Sequence, residues 1–199
     1  MSSTQAPFVD DILLGPVLAS RACGECTVCC TILNINALKK PPNTTCPHCT
    51  GHNCGIYESR PQACRDWHCA WRRVSALPDE ARPDRLGVAF SLDAAKEPKI
   101  LFESLFLVGR AAVAPSELEG GAPMAALDLF SAGPLPVFVS WEQKLNLVHP
   151  NHALAMAIVN PAASAGAALG PQAQAWLNAY APLVRRFAPA GIPLLPPGY

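Results

Sequence analysis

The chain has 199 residues, and its 15 Lys and Arg balance its 15 Asp and Glu to a formal net charge of zero. Half of it is hydrophobic and only 15% is charged. That excludes a disordered polyelectrolyte and fits one globular domain, or one domain with an appendage. A balanced charge gives no general attraction to nucleic acid or to an anionic membrane, so neither is expected as a partner.

Residues 1–20 form an N-terminal lead-in in which Val9, Ile12, Leu13 and Val17 suggest a short amphipathic piece. The opening M-S-S-T-Q-A-P-F-V-D-D has no positive n-region and does not read as a secretory signal. Residues 21–75 contain all nine cysteines, from Cys23 to Cys69, set among Gly, Pro, Asn and Thr. Such a segment buries too little apolar surface to fold unaided and needs staples. Ser59 as N-cap and Pro61 in the first turn predict a helix running to about Arg73 and carrying Cys64, Trp67 and Cys69.

The pattern changes in residues 76–160, expected to complete the same domain. Leu77 to Pro83 is a turn-rich joint. Residues 86–91 and 99–108 read as a β-hairpin around a charged turn at 93–98, and short helices are expected at 115–118 and 123–130. Residues 135–140 read as a strand that Pro136 places near an edge, with 145–149 as its partner. Asn151 is positioned to cap a helix through Ile158. In residues 161–199, a small-residue linker to Gly170 precedes a helix opened by Pro171. Its stripe of Trp176, Tyr180, Leu183, Val184 and Phe187 reads as core packing. A Pro-rich tail ends the chain. The fold class expected is α+β: a loop-rich, metal-stabilised cysteine module packed on a small antiparallel sheet with helices.

The uncharged run from Leu145 to Val184 is broken by Asn146, His149, Pro150, Asn160, Pro161 and Pro171, so no transmembrane helix is predicted. A cytoplasmic location follows as the expectation. There thiols stay reduced, and nine of them favour metal binding or catalysis over a disulfide framework. Residues 21–73 hold seven basic against three acidic side chains. Cations near thiols stabilise the thiolate form that binds metal; a solvated basic face is the plainer alternative.

Two cysteines separated by two residues turn both sulfurs toward one metal, and here the spacing is doubled: Cys23-x2-Cys26-x2-Cys29, with Cys30 directly after. The same run wraps three corners of an iron–sulfur cluster, leaving Cys46, Cys54, Cys64 and Cys69 as sources of a fourth ligand. Adjacent Cys29 and Cys30 point different ways on any regular backbone, which favours two neighbouring centres or one spare thiol. Soft thiolates select zinc, Fe–S or Cu(I) over hard cations. His48, His52 and His68 are possible substitutes as ligands, and Cys49 is the odd cysteine. Redox exchange at a Cys-x-x-Cys pair is disfavoured because the βαβ setting of a thioredoxin-like motif is missing.

With Cys46, then Cys54-Gly-Ile-Tyr57-Glu58-x-Arg60-Pro61-x2-Cys64-Arg65-x-Trp67-x-Cys69, this stretch resembles the CxxCxxCC cysteine-cluster family, also called YkgJ-like. These bacterial proteins are described as zinc- or iron-chelating domains. The resemblance covers about a quarter of the chain. It implies a metal module with Cys23, Cys26, Cys29, Cys30, Cys46, Cys54, Cys64 and Cys69 as ligands, Cys49 outside the pattern, and Trp67 where phenylalanine is more usual. A more distant resemblance to flagellin lysine N-methylases implies a methyl-transferring enzyme as an alternative.

From the residues themselves, Arg60 and Arg65 are expected to compensate thiolate charge or shape the ligand loops, and Tyr57, Trp67 and Trp71 to exclude water. No Gly-x-Gly-x-Gly loop, Ser/His/Asp set or paired carboxylates accompany the cysteines, and Asp79, Glu80 and Asp84 sit in a polar joint. The reading is therefore a metal-binding protein chelating zinc or iron, the iron as a possible Fe–S cluster, and leaning away from catalysis. A zinc-stabilised protein-interaction module using residues 86–187 is the remaining alternative.

Overall fold

A computed structural model describes residues 13–98, 101–142, 144–151, 153–155 and 171–184. The expected roles of Val9, Ile12, Ile158, the linker before Gly170, Phe187 and the tail lie outside them. The described residues divide into two compact units: those within 13–91, 110–124 and 141–142 form the first, and those within 92–109, 125–140 and 144–184 the second. The fold is α+β.

Four strands, β1 (Val88–Asp93), β2 (Phe106–Ala111), β3 (Val137–Trp141) and β4 (Lys144–His149), pair in the order β1-β2-β3-β4. The sheet is mixed, not wholly antiparallel as expected. The connection from β2 to β3 contains a helix, and a helical crossover is what parallel neighbours require. Pro136 does not mark an edge either. It precedes β3, where its missing N–H lies outside the ladder, and its carbonyl accepts from Leu107 N at 2.8 Å. The exposed edge is β4, which shows Leu145 and Val148 to solvent.

The expected hairpin exists with later strands. Ala112 N bonds Gly87 O at 2.8 Å at its open end, and the connection includes a 3₁₀ turn at Leu101–Glu103 tied to Ala95. Gly87 ends the short helix Pro83–Leu86 at φ 74°, and a Cβ there would meet Val113 at 2.6 Å, so only glycine fits.

In the second unit, the helix Pro171–Val184 sets Ala173, Trp176 and Tyr180 against Phe102, Phe106, Val108 and Phe138. Phe102 meets Trp176 and Tyr180 edge-on at 5.2 and 5.8 Å between centroids. The Tyr180 hydroxyl donates to Leu105 O at 3.1 Å, and burial pushes its pKa up. Asn151 caps as expected, its Oδ1 accepting from Leu154 N at 2.9 Å. No helix among the described residues is long and apolar enough to cross a membrane.

Candidate metal centre

The cysteine stretch lies wholly in the first unit and is mostly turns. Two helices of five residues, α1 (Val28–Ile32) and α2 (Gln62–Asp66), are its longest regular pieces. The expected helix from Ser59 to Arg73 is broken. Ser59 sits in a 3₁₀ turn, α2 begins after Pro61, and Trp67 is extended (φ −77°, ψ 124°) before a second 3₁₀ turn at Ala70–Arg72. A five-residue helix has little stability of its own, and the break at Trp67 carries Cys69 to a separate, buried position.

The chain here is held by cations bonded to backbone carbonyls. Arg21 donates to the carbonyls of Trp71, Val74, Ser75 and Leu77, and stacks 5.1 Å over the Trp71 ring. Lys40, only 3% exposed, donates through Nζ to Thr31 O (2.8 Å), Leu33 O and Pro41 O (3.1 Å). Arg65 reaches Arg60 O (2.9 Å) and Glu58 O (3.1 Å), which shapes the loop before α2 as expected, and Arg60 lies 4.0 Å over the Tyr57 ring. Gly24, at φ 55°, closes the first knuckle so that Cys26 N bonds Cys23 O at 3.0 Å.

These loops enclose a cavity of about 130 Å³ lined by Cys23, Cys26, Cys29, Cys30, Cys46, Cys54, Cys64 and Cys69. Cys49 is outside it. All nine cysteines are free thiols. Adjacent Cys29 and Cys30 both line the cavity, and Cys29 is near enough to perturb the Cys30 thiol. Lys40, Arg60 and Arg72 share the lining, so much of the basic surplus faces the thiols. Arg72 Nη1 approaches Cys23 Sγ at 3.6 Å, and its buried Nε has no hydrogen-bond partner among the described residues.

The thiols fall into two neighbourhoods. Cys26 and Cys69 both feel Cys23, and Asp84 lies against Cys26 while pairing with Arg82 at 2.6 Å. Cys64 feels Cys30, Cys46 and Cys54 instead, and Cys46 N bonds Cys30 O at 2.9 Å. Burial pushes the Cys26 and Cys64 thiols up and Cys69 to about 11. Cys30 is also pushed up, chiefly by its contact with Cys29.

Of the other expected contributors, His68, Tyr57 and Trp67 line the cavity. Burial, then the charges of Arg72, Arg73 and Arg60, lower the His68 pKa and favour the neutral imidazole, the form that ligates metal. His48 and His52 are exposed and not part of the lining. Trp71 is not at the cavity either: it is buried beneath Arg21, with Nε1 donating to Pro78 O at 3.2 Å. Lys40 and Arg21, the two cations that tie most of these loops together, carry no local sequence signal beyond their charge.

The donor chemistry suits a thiophilic metal, being sulfur-rich and cation-flanked, with Cys46 and Cys69 buried and the other six lining cysteines half-buried. Among the described residues, no group of three or more His, Cys, Asp or Glu side chains is drawn together closely enough to hold an ion. No protein-family model, curated protein or solved structure matches this chain.

Proposed function

We propose that this protein binds zinc or iron through the thiolates of Cys23, Cys26, Cys29, Cys30, Cys46, Cys54, Cys64 and Cys69, iron being held as an ion or as an Fe–S cluster. The observation that carries this reading is the convergence of eight cysteines, distant in sequence, on one cavity that excludes the ninth. Their division into two neighbourhoods favours two adjacent centres, with Cys23, Cys26 and Cys69 on one side and Cys29, Cys30, Cys46, Cys54 and Cys64 on the other.

When bound, the metal supplies folding energy and, in the case of iron, one-electron chemistry. The chain's own residues do the rest. Metal–sulfur bonds are about 2.3 Å long, so ligation draws the thiol groups inward from the cavity wall. Thiols held protonated by burial release their protons on ligation, and Lys40, Arg60 and Arg72 offset the negative charge that develops. Trp67 and the half-exposed Tyr57 limit water entry. We place the protein in the reducing cytoplasm, where nine free thiols persist. The resemblance of the stretch to CxxCxxCC proteins points the same way.

The test is alanine substitution at Cys23 and at Cys64, one in each neighbourhood, with metal content and fold measured for each variant. Loss of metal in both supports the reading. Unchanged metal and fold in both would show that the ligand set is wrong.

A further inference from the structure

Cys49 is the cysteine left outside the cavity, and its surroundings assign it a different chemistry. Residues 48–55 double back in a tight turn that sets Cys49 directly opposite Cys54 in an antiparallel bridge. The hydrogen bonds of this turn, Gly55 N to His48 O at 2.8 Å and Thr50 N to Asn53 O at 3.0 Å, lie on either side of the pair. Cys49 N is bonded to Cys46 O, and Cys54 O accepts from Tyr57 N. Cys49 and Cys54 are therefore a non-hydrogen-bonded pair, the arrangement in which opposed Cα atoms come within about 4.5 Å and side chains approach most closely. That separation falls inside the range of roughly 4.4–6.8 Å that a disulfide spans. The turn is clamped by the Thr50 hydroxyl donating to Asn53 Oδ1 at 2.7 Å and accepting from Asn53 N at 3.1 Å, which holds the two cysteines in register.

We propose that Cys49 and Cys54 form an oxidation site that closes to a disulfide under hydrogen peroxide. One thiol ionises and its thiolate attacks a peroxide oxygen, breaking the O–O bond to give a sulfenic acid and a hydroxide, which takes up the proton released by the thiol and leaves as one water. The second thiol attacks that sulfur, the hydroxyl leaves with the thiol proton as a second water, and the Sγ–Sγ bond forms. Two thiols are oxidised by two electrons and one peroxide is reduced to two waters. Cys54 also lines the cavity. Resting on the metal-binding reading, closure removes Cys54 from the ligands, and bound metal in turn shields Cys54 from oxidation.

The purified full chain, with and without prior incubation with zinc, is treated with hydrogen peroxide. Remaining thiols are capped with N-ethylmaleimide, and the linkages are mapped by tandem mass spectrometry. The expected result is a Cys49–Cys54 linkage that forms before any other, is reversed by dithiothreitol, is absent in Cys49→Ser, and forms more slowly after zinc. The Cys30 thiol also lies against Cys49, so a dominant Cys30–Cys49 linkage overturns the assignment, as does a Cys49 that remains capped while other thiols oxidise. A Cys49–Cys54 linkage whose rate ignores zinc upholds the oxidation site and overturns the role of Cys54 as a ligand.

Discussion

Replacing Lys40 with methionine keeps most of the volume of a side chain that is 3% exposed and removes its charge. An ammonium has three N–H groups, and those of Lys40 serve three carbonyls, of Thr31, Leu33 and Pro41. A hydrogen bond from a charged donor contributes about 1.5–3 kcal/mol, so three would give several kcal/mol if they added. They do not add fully, and relief of burying the ammonium offsets part of the loss. That burial cost is visible as a lowered Lys40 pKa, with desolvation the largest influence and Cys46 the largest opposing one. A net destabilisation of about 3 kcal/mol is expected. The assay is urea unfolding at neutral pH in reductant and chelator, which removes any metal contribution. A change below about 0.5 kcal/mol, the range of an ordinary surface substitution, would refute the view that this cation ties the loops together.

Arg21→Ala removes the bonds to four carbonyls and the stacking on Trp71, and about 2–4 kcal/mol of stability should go with them; Arg21→Lys should restore only part, because an ammonium lacks the planar fork. Gly87→Ala forces a Cβ onto Val113 at positive φ and should cost at least about 1–3 kcal/mol, read as a lowered Tm. His149 Nε2 accepts from Trp176 Nε1 at 3.0 Å, which needs neutral imidazole, and burial lowers its pKa from 6.5. A depressed folded pKa means the stabilisation is complete above pH 6.5 and is lost as the pH falls below it. Unfolding followed by tryptophan fluorescence should show a loss of about 1 kcal/mol on acidification that His149→Gln abolishes.

Where local chemistry decides, the structure was legible in the sequence. Asn151 as a cap, Pro171 as a helix start, the stripe of Trp176 and Tyr180, and the pairing of β3 with β4 all rest on residues within a few positions of one another. The doubled Cys-x2-Cys spacing likewise marked Cys23, Cys26 and Cys29, which share the cavity, because knuckle turns need only short-range geometry; that Cys46, Cys54, Cys64 and Cys69 join them and Cys49 does not was implied by the resemblance alone. Long-range partners were hidden. Nothing near Arg21 shows that it bonds carbonyls of residues 71–77, and nothing near Lys40 shows that it is buried on the carbonyls of Thr31, Leu33 and Pro41. The helix expected to reach Arg73 fails at Trp67 because the tertiary position of Cys69 overrides a short run of helix formers. The mixed sheet depends on a helical crossover that strand periodicity does not report. Cys49 had a readable signal in the T-G-H-N turn that separates it from Cys54.

Elemental analysis of protein purified without oxygen, together with its visible absorption spectrum, tests the metal-binding claim most directly. The account predicts zinc or iron bound at one or two ions per chain, or iron with matching sulfide and visible absorption from a cluster. Protein that is folded, carries nine titratable thiols and holds neither zinc nor iron, even after incubation with each under reducing conditions, would contradict it.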